Sequence, residues 1–417
     1  MARHLSTRIR LNPDPAQEVA LRQIAGCCRL VYNLGREQRR DFWRQYRAAE
    51  GRSLHWMGQK KELPALKEAA PFLADAPAHC LQMALQDLQR AFDNFYAGRA
   101  GYPQPRRKYE DDSFRFPDPA QIRVDPRAGL LVLPKFGRRA GDHGAIRAVF
   151  HRPIRGRIRS VTVSREGRHW YASILLERRE KAARPDPAPI TAADVCGIDR
   201  GTVVPFMDSE GLARGHAILP ARGSGEAKRR RRLEQALARA KKGSKRRAKV
   251  RLKLAAHRAR EARRRRDMIE KVTTEIANNH RVVVIENLPV RSMTASARGT
   301  VEDPGANVAQ KAGLNTAILD KGWGMFRIRL EQKLALRGGR LIVVPAAFTS
   351  QTCACCGHVA AESRVTRDLF RCVSCGHEAH ADLNAARNIR DRGLALLGLA
   401  PSARIERPAA GMVVAVC

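Results

Sequence analysis

The chain is short of acid, of long apolar runs and of repeats. Its 417 residues carry 41 Asp and Glu against 78 Lys and Arg, a formal net charge of +37. Such a deficit of carboxylates predicts a polyanionic partner. No apolar run reaches the length of a spanning helix and no signal peptide opens the sequence, so nucleic acid rather than membrane is the expected polyanion. No internal repeat is present. A disulfide framework is missing too. Of ten cysteines, four stand in two Cys-x-x-Cys pairs, and Cys27, Cys28, Cys80, Cys196, Cys355 and Cys417 are scattered, mostly among apolar residues. That usage fits a reducing compartment, and a cytoplasmic location is expected. The length suffices for two or three domains with real cores.

Taken in order, residues 4–11 alternate as a strand, with Leu5, Thr7, Ile9 and Leu11 on one face. Asn12-Pro13 stops it. Asp14 is placed as an N-cap, with Pro15 and Gln17 completing a helix start. Leu21, Ile24, Cys28, Val31 and Leu34 make an apolar stripe, while Arg22, Arg29, Arg36 and Arg40 lie opposite and suit either solvent or phosphate. A second helix is expected over 78–96, with a seam of Leu81, Leu85, Leu88, Phe92 and Phe95. From 113 to 177 the pattern is strands, including a hairpin turning at Glu166-Gly167. These strands are the nearest partners for 4–11, so a β-barrel-like domain interrupted by a helical bundle is expected. Residues 181–189, with three prolines, read as a linker.

After Asp194 come short strands and then a basic stretch, 228–266, with 20 Lys and Arg and only Glu234 and Glu261 opposing them. Gly243-Ser244 divides it into two helical arms, the second running into Met268, Ile269, Val272 and Ile276. It reads as a nucleic-acid-binding arm built into a fold. Residues 281–288 and 341–345 read as buried strands, with a helix over 316–336 between them.

Cys353/Cys356 and Cys372/Cys375 are separated by 15 residues, and each pair is followed by Gly-His. Four thiolates at this spacing make a closed tetrahedral site for one structural Zn2+. Three carboxylates stand out as well. Asp199 and Glu286 end apolar strands and Asp382 opens a helix. Each alone could be a turn residue, an arginine acceptor or a cap. Together, with ribonuclease-H-like strand order in a basic chain, they suit two Mg2+ ions about 4 Å apart that serve phosphodiester hydrolysis.

The motifs GIDRG (197–201), VIENL (284–288), LNTAILDKGWGMF (314–326), TSQTCACCG (349–357) and DLNAARN (382–388), with RIRLNPDPAQ (8–17) and Val31-Tyr32-Asn33, resemble TnpB, the RNA-guided nuclease of bacterial insertion sequences related to compact type V CRISPR effectors. The resemblance spans essentially the whole chain. It implies an α+β multidomain protein: a wedge-type β-barrel domain (1–13 and 106–185), a helical recognition domain (14–105), an RNase H-like, RuvC-type nuclease domain (190–348 and 378–400), a zinc-ribbon insertion (349–377) and a tail (401–417). It implies Asp199, Glu286 and Asp382 as a catalytic, Mg2+-binding triad, and Cys353, Cys356, Cys372 and Cys375 as zinc ligands. The implied partners are a guide RNA and double-stranded target DNA beside a short adjacent motif, in a monomeric ribonucleoprotein. Arg200, Gln332 and Cys355 depart from the family pattern. Three alternatives stay open: a CRISPR-associated effector, an RNA-guided repressor without cleavage, and a plain zinc-ribbon RNA-binding protein.

Overall fold

The computed structural model describes residues 2–47, 54–137, 141–179, 188–215, 224–300 and 302–400. The expected linker falls largely, and the tail wholly, outside them. The chain forms two compact units, Met1–Lys181 and Ala182–Cys417.

In the first unit, strand β1 (Ala2–Asn12) leads into helix α1 (Pro15–Phe42). The turn between them is fixed locally. Asp14 accepts from the Gln17 backbone N–H at 2.8 Å, and Gln17 Oε1 accepts from Asp14 N at 3.1 Å. Leu21, Ile24, Cys28 and Val31 are buried, but Leu34 is 38% exposed. The seam continues one residue later, through buried Gly35, because a pitch of 3.6 residues carries it from 31 to 35. The opposite arginines are largely engaged within the protein. Arg29 pairs with Asp112 at 2.7 Å and Arg36 donates to the Pro103 carbonyl at 2.7 Å. Arg40 pairs with Asp41, and Arg22 with Glu18.

The proline-containing segment expected to connect the helices carries two short ones, α2 (Trp56–Lys61) and α3 (Leu63–Ala69). Helix α4 (Ala78–Tyr96) follows, with Leu81, Leu85, Leu88 and Phe92 buried. The strands β2 (Ser113–Phe116), β3 (Arg123–Asp125), β4 (Leu130–Val132), β5 (Ile146–Val149), β6 (Arg157–Glu166) and β7 (His169–Arg179) join β1 in one antiparallel, curled sheet. Its order is β2-β6-β7-β1-β5-β4-β3, so β1 does find partners here, in β7 and β5. A register shift between Ile158 and Ser160 accounts for the broken alternation of β6.

The second unit holds β8 (Val195–Asp199), β9 (Phe206–Asp208), β10 (Ala213–Arg214), α5 (Gly225–Arg239), α6 (Lys245–Asn279), β11 (Val282–Glu286), α7 (Val308–Lys321), α8 (Trp323–Leu336), β12 (Arg340–Val344), the two-stranded ribbon β13 (Leu369–Arg371) and β14 (Glu378–His380), and α9 (Ala381–Leu396). The main sheet runs β10-β9-β8-β11-β12, with β8, β11 and β12 parallel and the β8-β9-β10 side antiparallel. Both faces are covered, as β11 demands by being buried at all five positions. Val283 and Ile285 face Met268, Ile269, Phe326 and Leu330 of α6 and α8, while Val282 and Val284 face Ile389 and Leu394 of α9.

Two expectations are corrected. The single helix over 316–336 is two helices, beginning at Val308 and breaking at Gly322, whose φ of +69° lies in the left-handed region. A Cβ there would also stand 2.8 Å from Ile269 Cδ1, a side-chain end able to shift, so the need for glycine lies in the backbone conformation. In the strand expected over 341–345, positions 341–343 are half-buried, Val344 is buried and Pro345 is exposed past the strand's end, because β12 is the edge of the sheet.

Candidate active site

Asp199 and Glu286 are the last residues of adjacent parallel strands, in register through Ile198 and Ile285. Asp382 is the second residue of α9, whose start His380 caps by accepting from the Asp382 N–H at 3.2 Å. Helix α9 crosses β8 at Gly197, where a Cβ would run into the Ala386 carbonyl and Arg390 backbone nitrogen. That close approach carries Asp382 to the strand ends: a Cβ on Gly201 would stand 3.7 Å from Asp382 Oδ2. All three predicted acids therefore meet at the carboxyl end of the sheet, where open α/β sheets form their sites.

The acids repel one another in a partly desolvated place. Burial, then the charges of Glu286 and Asp382, push Asp199 up to about 7, against the N–H and guanidinium of Arg200. Burial also raises Glu286, opposed by the Thr349 hydroxyl, Arg200 and Arg392. Asp382 is raised by burial and drawn back by His380, Arg364 and Arg367. The carboxylates are set more openly than a single tight ligand cluster; among the described residues only the four cysteines form one. Hard oxygen donors short of counter-charge are a donor set that suits divalent cations.

Sequence reasoning missed the residues that hold this arrangement. The Thr349 hydroxyl donates to Glu286 Oε1. Asn388 Nδ2 donates to the Thr349 and Thr352 carbonyls at 2.9 and 2.6 Å. Asn384, fully buried, donates to the Thr352 carbonyl at 2.7 Å and accepts from Ala354 N at 2.9 Å. Two asparagines one helical turn apart on the inner face of α9 were the available signal. Arg200 is buried, donates to the Glu286 carbonyl and lies 5.9 Å from the Trp323 ring centroid.

Beside the acids, Cys353, Cys356, Cys372 and Cys375 bring their sulfur atoms within 4.8 Å of one another. The Cys353–Cys375 and Cys356–Cys372 separations are 3.7 and 3.6 Å. A tetrahedron with Zn–S near 2.3 Å has edges of about 3.8 Å, so the thiols fit zinc. Burial pushes the Cys372 thiol up, but the N–H groups of Cys375 and Ser374 and the neighbouring thiols outweigh it and leave it at about 7. Cys355 lies outside the cluster.

Residues 177–297 match the family described as "Probable transposase", and 323–389 the "Cas12f1-like, TNB domain". Residues 1–48 match a "Helix-turn-helix domain", although residues 2–42 are a strand followed by one long helix. The chain is 35% identical over 411 residues to "Putative RNA-guided DNA endonuclease InsQ" of Escherichia coli, covering 98% of this chain and 97% of that protein. The chain belongs to the TnpB family. A Streptomyces pristinaespiralis relative, "Putative RNA-guided DNA endonuclease", is 31% identical over 96% of this chain and 92% of its own length. Among solved structures, a Cas12f1–sgRNA–target DNA complex superposes with a TM-score of 0.50 at 15% identity, covering 94% of this chain and 98% of that one, which speaks for a shared fold. In this TnpB protein the three acids, the four thiols and the asparagine pair lie within one unit.

Proposed function

We propose that this TnpB protein is an RNA-guided DNA endonuclease of an insertion sequence. The observation that carries the reading is the meeting of Asp199, Glu286 and Asp382 at the carboxyl end of one sheet, in a chain alike over nearly its whole length to proteins named for that activity. The strand order, an antiparallel hairpin flanking parallel strands, supports an RNase H-like nuclease unit. Residues 190–348 and 378–400 are assigned to it and 349–377 to a zinc ribbon. The amino-terminal wedge and recognition parts take 1–13 with 106–185, and 14–105.

Asp199, Glu286 and Asp382 would hold two Mg2+ ions, which when bound supply Lewis acidity and an activated water. The protein's own part is to fix the acids. Thr349 holds the Glu286 carboxylate, the Gly197 crossing presents Asp382, and Arg200 ties its own strand end to the Glu286 backbone. The basic hairpin α5–α6 would grip backbone phosphates of guide or target, while base pairing with the guide RNA chooses the sequence. The four cysteines would hold one zinc that orders the ribbon leading into α9.

The test is cleavage of a matched plasmid by the purified protein and its RNA. Asp199→Ala, Glu286→Ala and Asp382→Ala should each lower cutting by about a thousandfold or more while RNA affinity stays within about twofold. Cutting that survives Asp382→Ala would remove that residue from the triad. A wild-type chain that binds RNA and matched DNA without cutting would favour a repressor.

A further inference from the structure

We infer that a basic, aromatic-walled cavity in the first unit takes one nucleotide turned out of a bound nucleic-acid strand. This rests on the RNA-guided reading above and places a contact within it. The cavity is about 390 Å³, within the range of small-ligand sites, and opens between α1, the turn at Phe72 and the loop Lys108–Asp112.

Its lining is chemically mixed in a way that narrows the ligand. Asp112 is the one acid, and it is already committed: Arg29 lies 2.7 Å from it, Arg165 3.6 Å, and the Tyr109 N–H donates to it at 3.4 Å. A cation site is therefore excluded. Among the described residues Arg22 pairs with Glu18, one turn away on an exposed surface, a pairing that holds weakly. The ammonium of Lys108 sits 5.3 Å from the Tyr109 ring centroid. These two cations beside the cavity suit a phosphate.

The aromatics then distinguish a nucleotide from bare phosphate. Tyr109 is 47% and Phe72 50% exposed, so neither ring is used by the core. Tyr109 also has φ +71°, a conformation bulky side chains rarely adopt. The loop enforces it. Besides the Tyr109–Asp112 bond, Arg165 N donates to the Asp112 carbonyl at 2.9 Å, and the Arg165 guanidinium lies 5.3 Å from the tyrosine ring centroid. An exposed aromatic held in a strained backbone serves a contact outside the fold, and stacking on a base is the contact that suits it. Gln23, anchored by donating to Asp75 at 2.8 Å, lines the same wall with an amide able to meet a base edge.

Gly26 allows a clean test. It lies on the cavity side of α1, and a Cβ there would meet only Arg29 Nη2, at 3.7 Å. Gly26→Leu should therefore fill the cavity and leave the melting temperature unchanged or raised, since leucine favours a helix more than glycine does. The full-length, RNA-free chain is titrated with AMP, dAMP and inorganic phosphate by NMR. The wild type should bind one of the nucleotides about tenfold more tightly than phosphate, the scale of one base stack, and Gly26→Leu and Tyr109→Ala should each remove that margin. Displacement by guide RNA alone assigns the pocket to the guide, and displacement only after matched DNA is added assigns it to the target. Equal binding of AMP, dAMP and phosphate, an unchanged Gly26→Leu variant, or displacement by neither strand would overturn the inference. If the wild type fails to cut matched DNA, the nuclease reading falls, and the titration still decides the pocket.

Discussion

At the scale of single residues, Asp199 places a large electrostatic demand on the second unit. An aspartate in the unfolded chain titrates near 4, whereas this carboxyl is held at about 7 by burial and two neighbouring acids. The folded state without metal therefore binds more protons than the unfolded state between those values, so its stability falls as pH rises from about 4 to about 7 and stays low above. Asp199→Asn removes the charge and keeps the shape. It should stabilise the protein in EDTA by about 1–2 kcal/mol at pH 8 and by close to nothing at pH 4, while abolishing cleavage. Thermal unfolding at the two pH values checks this, and an equal gain at both would refute the electrostatic account. The three acids stood out in the sequence because Asp199 and Glu286 end apolar strands and Asp382 stands at the start of a helix. Thr349 and Arg200 did not, because their partners lie 63 and 86 residues away and no local pattern records such a bond, and Asn384 and Asn388 offered only their spacing of one helical turn.

At the scale of elements, the site depends on how closely α9 lies on β8. Gly197 permits this, since a methyl group there would meet helix backbone rather than a movable side chain end. Gly197→Ala should push α9 outward, cost about 2–4 kcal/mol by overpacking and lower cleavage at least about a hundredfold with all three acids in place. Guanidinium unfolding and plasmid cleavage measure the two effects; a variant that cuts normally would show that the crossing tolerates a wider separation. The same contrast between local and distant causes explains what the sequence showed of the fold. The capping box at Asp14 and the helix over 78–96 follow from neighbouring residues and stand as expected. The break at Gly322 follows from its left-handed backbone, which a lone glycine inside a helical pattern signals only weakly, and the exposure of β12 from its place at the sheet edge among the described residues, which has no local signature.

At the scale of the whole molecule, the net charge of +37 is concentrated. The hairpin α5–α6 carries a large part of it, and the three acids of its basic stretch, residues 225–266, pair within it: Glu226 with Arg264, Glu234 with Arg258 and Glu261 with Arg230. Those pairs join one arm to the other, and Leu254 is buried in the hairpin, so its shape does not depend on the remaining cations. Arg231, Arg232, Arg246 and Lys249 are exposed on it. If they meet phosphates, each releases close to one counterion on binding. Changing all four to glutamine should therefore leave the thermal unfolding midpoint within a few degrees, since glutamine keeps a helix propensity near that of arginine and lysine. It should also make the slope of log affinity against log salt shallower by about 3 for RNA. Affinity measured by filter binding across a salt series reads the slope directly. A shallower slope with unchanged folding places the hairpin on the phosphate backbone. An unchanged slope would move the polyanion contact to the other cations of the chain and leave the hairpin a solvated arm.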